Sequence, residues 1–279
     1  MTQTAPKPTS PSAPPPFLFH QGTAPLLISI PHGGVYLPPL LAERLHAQAR
    51  EVPDTDWHLE RLYAFAKELG ASILAATHSR YVVDLNRPPD GASLYPGQNV
   101  TGLCPIDCFD ETPLYPRGDV PDAVEIAARR DALWAPYHRQ LRAELDRIHA
   151  AHGVAVLWDA HSIRSVLPRF FEGKLPDFNL GTVDGASCDP ALAQALLRIA
   201  QGAPGYTAVL NGRFKGGHIT RHYGDPACNI HAVQLEMTQC SYMQEALPFD
   251  YLPERAEQVQ PHVRRMLEAA LGFADGAKA

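Results

Sequence analysis

Two histidines and a glutamate stand where three apolar runs of this sequence end. Leu26-Leu-Ile-Ser-Ile30 stops at Pro31-His32-Gly33-Gly34, Val154-Ala-Val-Leu-Trp158 runs into Asp159-Ala-His161-Ser162, and His231-Ala-Val-Gln-Leu235 leads to Glu236. Imidazoles and a carboxylate are the groups that hold a hydrolytic metal such as zinc, with one position left for water. His32 and His161 are the natural pair, because each follows an apolar run directly, in a turn of small residues. The third ligand is expected to be a carboxylate. Asp56, in Asp54-Thr-Asp-Trp-His58, is the first choice, with Asp54 and Asp159 as alternatives. Asp54 equally suits a helix cap, and Asp159 equally suits a partner that orients a histidine. Glu236 is read as the general base that takes a proton from metal-activated water, against the competing reading of a strand-end acid paired with arginine. His218-x3-His222 has the spacing of a helical ligand pair. Gly216-Gly217 before it and Gly224-Asp225-Pro226 after it predict no helix there, so His218 is expected to hydrogen-bond substrate instead.

Charge narrows the substrate. The chain carries a formal net charge of −6, which argues against nucleic acid, whose phosphates need a basic surface. Of its 24 basic residues 19 are arginine, a total that GC-rich coding also produces, so individual positions matter more. Arg80, Arg87, Arg164, Arg213 and Arg221 fall in loops or at strand ends rather than on helix faces. Arginine binds carboxylates in bidentate fashion, so some of these are expected to face a cleft that takes an anion. A P-loop, a Gly-x-Gly-x-x-Gly after a strand and a Gly-x-Ser-x-Gly are all missing from the sequence, which leaves nucleotide and serine-hydrolase chemistry without support. Five cysteines, odd in number and without zinc spacing, together with no secretory signal and no apolar run near the ~20 residues of a spanning helix, predict a cytoplasmic protein with free thiols and no membrane partner.

The elements that must carry these residues follow from periodicity. Residues 1–16 form a proline-rich, disordered tail, and 17–279 a single catalytic domain. Unalternating apolar runs predict strands buried on both faces near 26–30, 72–76, 154–158, 206–210 and 231–236. Arg80–Asp84 reads as another strand, possibly antiparallel to 72–76. Helices are predicted after Pro38-Pro39, from Asp54 or Thr55 to Gly70, from Pro121 through a kink at Pro136 to Gly153, from Asp189-Pro190 to about Gln201, and over 253–273. Residues 86–119, rich in Pro and Gly, are long enough to act as a lid. Stretches 162–181 and 211–229 read as loops. Alternating strands and helices make a three-layer αβα sandwich with a mixed, largely parallel sheet, whose strand carboxyl ends are where ligands bind.

Several motifs are together similar to the N-formylglutamate amidohydrolase family. They are Ser29-Ile-Pro-His-Gly-Gly34, Asp54-Thr-Asp-Trp57, Ser79-Arg-Tyr-Val-Val-Asp-Leu-Asn-Arg-Pro-Pro89, Asp159-Ala-His-Ser162, Asn211-Gly-Arg-Phe-Lys-Gly-Gly-His-Ile-Thr-Arg221 and Gln234-Leu-Glu-Met-Thr-Gln239. The resemblance implies metal-dependent hydrolysis of N-formyl-L-glutamate to L-glutamate and formate in histidine breakdown. It also implies a fold similar to zinc carboxypeptidases and aspartoacylase-like deacylases. In those relatives a histidine, a carboxylate and a later histidine hold one zinc and a late glutamate activates water; His32, Asp56, His161 and Glu236 match by order. The match departs where carboxypeptidases have Glu three residues after the first His, since Val35 stands there. A small dicarboxylate substrate calls for a clamp, expected from Arg87, Arg213 and Arg221 with Asn86, and Arg80 and Arg164 behind them. His218 or an arginine is the expected oxyanion donor. The rival readings are an amidohydrolase for another acidic N-acyl amino acid, marked by a roomy apolar cavity, and a non-catalytic binder of acidic amino acids.

Overall fold

A computed structural model describes residues 12–92 and 101–276. Most of the proline-rich start and the middle of the 86–119 stretch therefore lie outside the described residues. Seven strands form one sheet: β1 (Phe17–His20), β2 (Leu26–Ile30), β3 (Ser72–Ala76), β4 (Ala155–Ile163), β5 (Phe178–Gly181), β6 (Ala208–Leu210) and β7 (Ile230–Thr238), in the order β1-β3-β2-β4-β7-β5-β6. The central run β3-β2-β4-β7 is parallel, β1 and β5 each join antiparallel, and β6 pairs parallel with β5. The helices are α1 (Pro39–Arg44), α2 (Ala47–Arg50), α3 (Leu59–Leu62), α4 (Ala123–Arg129), α5 (Ala135–His152), α6 (Pro190–Gln201), α7 (His218–Tyr223) and α8 (Pro253–Gly276). The mixed, mostly parallel sheet with helices on both faces is the α/β sandwich expected.

Each face of the sheet has its own core. Leu26, Ile28 and Ile30 of β2, with Val156, Trp158 and Ala160 of β4, pack on apolar side chains of α3, α6 and α8. The alternate residues Leu27, Ala155 and Leu157 pack on Tyr137, Leu141, Leu145 and Ile148 of α5 and on Ile219 and Tyr223 of α7. This two-sided burial is why the strands read as unbroken apolar runs. Asp189 caps α6 by accepting the Ala191 N–H at 2.7 Å, and Gly153, at φ +73°, ends α5 in the left-handed conformation that favours glycine.

Five local expectations need correction. Residues 80–84 form turns, not a strand: the Asp84 carboxylate takes the Asn86 N–H and the Asp84 carbonyl takes that of Arg87, so local bonds replace a partner strand. Residues 218–223 are helical, because Gly217 and Gly224 bound the segment rather than break it and Ile219, Thr220 and Tyr223 are buried; tertiary burial stabilises a helix too short to form alone. β4 continues through His161 to Ile163, so His161 lies inside the strand rather than after it. β5 occupies part of the presumed 162–181 loop, its four residues too few to show a period. The helix from 54 to 70 is two short pieces, α3 and a 3-10 turn at Ala64–Lys67. At Pro136 the helix is interrupted in its hydrogen bonding: a π-helical stretch, Arg130–Trp134, joins α4 to α5 just before it, as expected where a proline removes a ladder N–H.

Candidate active site

Alternation along the two central strands builds the site. Asp159 and His161 of β4, and Gln234 and Glu236 of β7, face away from the α3/α6/α8 core, and the parallel register sets Asp159 beside Gln234 and His161 beside Glu236. On that face Ala155, Leu157 and Ala232 fill the space under α5 and α7, so the polar positions begin only toward the carboxyl ends. There His161, Gln234 and Glu236 line a cavity of about 80 Å³ together with His32, Asp56, Arg80, Asn86 and Arg87, with Asp159 behind His161. Gly34 lets the chain after β2 pass close to β3's exit: a Cβ on it would lie 2.4 Å from the Thr77 carbonyl carbon, an approach only glycine allows. The Asp56 N–H donates to the His32 carbonyl at 3.0 Å, tying the two segments together.

The donor set fits a divalent cation. One ligand atom each from His32, Asp56 and His161 lies within 4.8 Å of the others. Asp56 Oδ2 is 3.0 Å from His161 Nδ1 and 3.7 Å from His32 Nδ1. His32 Nδ1 is buried and has no hydrogen-bond partner among the described residues, an expensive arrangement unless something else binds it. Each ring turns its Nε2 to another buried carboxylate, His32 to Asp84 at 2.7 Å and His161 to Asp159 at 3.1 Å. A carboxylate behind a histidine fixes its tautomer and leaves the opposite nitrogen for the metal. Of the three aspartates weighed from the sequence, the structure brings Asp56 between the histidines. Asp54 instead accepts Tyr81 Oη at 2.6 Å and the Phe109 N–H at 2.7 Å and pairs with Arg164 at 3.2 Å.

Charge in the site is balanced by proximity. Burial pushes Asp56 toward its neutral form, but hydrogen bonds and charge from His161 and His32 outweigh it and hold the carboxyl below its usual range. Burial likewise opposes charge on His161, and Asp159 and Asp56 overcome it and raise the ring well above its ordinary value. Asp84 is also driven below its usual range, burial being outweighed by His32, Arg87 and Arg80. Glu236 is the exception: burial lifts it to about 8, since His161 and Arg80 offset burial only in part.

Three of the five arginines reach the cavity. Arg80 bonds Asp84 at 2.7 Å, lies 3.8 Å from Asp56 Oδ1 and covers the Phe109 ring at 4.6 Å. Arg87 donates to the Thr101 carbonyl and hydroxyl at 2.9 and 3.0 Å, and Arg213 donates to the Phe170 carbonyl at 2.6 Å. Arg164, paired with Asp54, and Arg221, whose Nε bonds Gly216 O within the turn before α7, are not in the lining. His218 is not in it either. Its backbone N–H donates to Asn86 O at 3.4 Å, and burial lowers its ring to about 4. Asn86 lines the cavity with its Oδ1 on the Ile219 N–H at 2.7 Å and its Nδ2 at 3.3 Å from Asp159 Oδ2 and 2.9 Å from His161 Nε2.

Asp84 escaped the sequence reading, although a lone acid in the run Tyr81-Val-Val-Asp-Leu85 is the kind of signal that marks a buried carboxylate. It holds His32, Arg80 and the Asn86 backbone at once. Asp84→Asn is expected to weaken binding of a divalent cation by about 10–100-fold, measured by competition with a chromophoric chelator. An unchanged affinity would show that Asp84 does not orient His32.

The family model for N-formylglutamate amidohydrolase matches residues 24–243, which includes every site residue above. The chain belongs to the N-formylglutamate amidohydrolase family. Two relatives bearing the name N-formylglutamate deformylase agree. That of Pseudomonas putida is 54% identical over 255 residues, 91% of this chain and 95% of its own. That of Pseudomonas aeruginosa is 55% identical over 255 residues, 91% and 96% of the two chains. Among solved structures, N-formylglutamate amidohydrolase from Ralstonia eutropha superposes with a TM-score of 0.77 at 25% identity, covering 93% of this chain and 97% of that one. The gene product Atu2144 of Agrobacterium tumefaciens shares the fold, with a TM-score of 0.69 at 20% identity over 94% and 95% of the chains. Within this family fold, no helix of the described residues is long and apolar enough to cross a membrane.

Proposed function

We propose that this protein hydrolyses N-formyl-L-glutamate to L-glutamate and formate with the help of one divalent cation, read as zinc. The family and the names of its 54–55% identical relatives support the substrate. One observation supports the chemistry: the ligand atoms of His32, Asp56 and His161 converge in the same small cavity as the buried Glu236 carboxyl. When bound by that trio, the cation would supply Lewis acidity to the formyl carbonyl and acidify the attacking water.

The side chains account for the remaining steps. Glu236 accepts a proton from water as the water oxygen bonds the formyl carbon, and returns it to the amide nitrogen as the C–N bond breaks. A carboxylate within reach of the bound water can take that proton and then give it. At neutral pH the products are formate and the ammonium form of glutamate, so the atoms of one water are fully used. Arg80, 3.8 Å from Asp56, sets positive charge where the formyl oxygen becomes negative. Arg87, Arg213 and Asn86 take the two carboxylates, and a bidentate contact rejects uncharged analogues. In this reading the enzyme is cytoplasmic, consumes the formylated glutamate of histidine breakdown, and comprises one catalytic domain from residue 17 onward.

The rival is an amidohydrolase that accepts a bulkier acyl group on the same amino acid. The test is formate release from N-formyl-L-glutamate by the zinc-loaded protein, with deacetylation of N-acetyl-L-glutamate in parallel. The formyl substrate is expected to be favoured by at least about 10²-fold in kcat/KM, the scale of steric rejection in a closed pocket. Equal or better use of the acetyl substrate would overturn the reading.

A further inference from the structure

Gln234 lines the cavity yet has no part in the reaction just described. It is buried, at 4% exposure, and its Oε1 accepts the Gly217 N–H at 2.7 Å. A backbone N–H can only donate, so this bond decides which way round the amide sits: the oxygen is on Gly217 and the NH₂ is turned away from it. An amide NH₂ on a cavity-lining residue can donate to an acceptor held there.

Its distance from the reacting centre selects that acceptor. Gln234 and Glu236 are two residues apart on one face of β7, so Gln234 sits about 6.6 Å deeper, at about 3.3 Å per strand residue. From the formyl carbon of an N-formylglutamate the α-carboxylate carbon is three bonds away. The side-chain carboxylate carbon is five bonds away, roughly 6 Å in an extended chain of about 1.5 Å bonds. The deeper group therefore matches the side-chain carboxylate. Arg213, elsewhere in the same lining, has its guanidinium against Phe170 and Phe214, 5.8 and 5.3 Å from their ring centroids.

We propose that Gln234 is a specificity-determining residue whose amide NH₂ hydrogen-bonds the side-chain carboxylate of the substrate. This rests on the deformylase reading above. Position on the strand decides distance from the chemistry, and the Gly217 bond decides that a donor is presented. A carboxylate accepts that bond, whereas the amide end of a glutamine analogue answers it with only one acceptor oxygen.

The test separates this role from a structural one. Gln234→Glu retains an acceptor for the Gly217 N–H but replaces the NH₂ donor with a carboxylate oxygen. Kinetics of formate release would be measured with N-formyl-L-glutamate and N-formyl-L-glutamine, for the wild type and the variant, each loaded with zinc. Expected is a drop of about tenfold or more in the ratio of kcat/KM for the glutamate over the glutamine substrate, carried by a higher KM for the glutamate substrate. Gln234→Met, which removes both the donor and the Gly217 acceptor, is expected to lower the same ratio, with thermal melting to show that the variant is folded. An unchanged ratio in Gln234→Glu would overturn the proposal, and so would a variant in which both substrates lose kcat equally. Absence of formate release by the wild type would instead overturn the deformylase reading, so the two failures are distinct.

Discussion

Glu236→Gln lowers kcat for formate release by about 10²–10⁴-fold, the contribution of a positioned general base. The amide has nearly the shape of the carboxyl but cannot take a proton from water. Glu236 is outside the trio of His32, Asp56 and His161, so zinc stoichiometry of the variant stays as in the wild type, and that measurement separates lost chemistry from a lost site. Activity within tenfold of wild type with zinc bound would remove Glu236 from the mechanism. The same substitution has a second signature in the metal-free protein. Burial raises the Glu236 carboxyl from 4.5 to about 8, so the folded state binds this proton more tightly than the unfolded chain. Its stabilising contribution is complete below about 4.5 and is lost as pH rises through about 8. Glutamine has no such dependence. Metal-free Glu236→Gln should therefore keep its Tm better than metal-free wild type between these pH values, by up to a few kcal/mol at the alkaline end. Parallel pH–Tm curves for the two proteins would contradict the buried, raised carboxyl.

Stripping zinc with a chelator abolishes formate release, and restoring zinc recovers it. Without the cation nothing in the cavity acidifies water, and the uncatalysed amide is inert on the assay timescale. Two further observables belong to the same prediction. Zinc raises the Tm by mass action, because the folded trio binds it and the unfolded chain does so far less. Affinity also rises with pH: the metal-free His161 ring, between Asp56 and Asp159, holds its proton well above the ordinary value, and zinc must displace it. His161→Gln, which avoids a cavity next to those carboxylates, should lose zinc binding by direct metal analysis as well as activity. Full activity in protein shown to be free of metal would refute the metal reading altogether.

How much of this was legible depends on the range of the cause. The turn of Pro31-His32-Gly33-Gly34 follows from local pattern, because apolar burial stops where the chain leaves the sheet; the polar residues of β4 show by type alone, since the strand runs on through them to Ile163. The caps at Asp189 and Gly153 are local too. The helix at 218–223 was not legible, since its glycines look like breakers until Ile219 and Tyr223 are seen to be buried. Nor was Arg80–Asp84, whose β-branched residues suit a strand but whose buried Asp84 carboxylate caps its own turn. Arginines at loop positions all look alike in sequence. Only packing shows Arg164 held by Asp54 while Arg80 reaches within 3.8 Å of Asp56.

The sequence by itself determined the α/β class, the family motifs, the pair His32 and His161, and Glu236 as the acid beside them. Those features depend on residue type, strand-length apolar runs and where the runs end, all of them properties of neighbours in the chain. Tertiary structure alone decided that Asp56 rather than Asp54 meets the histidines, that Asp84 stands behind His32, and that Gln234 turns its amide oxygen to Gly217. Each of these depends on segments 17 to 105 residues apart brought within hydrogen-bond reach. Local propensity carries no information about such contacts, because they come from strand order, parallel register and which face of β4 and β7 each side chain takes.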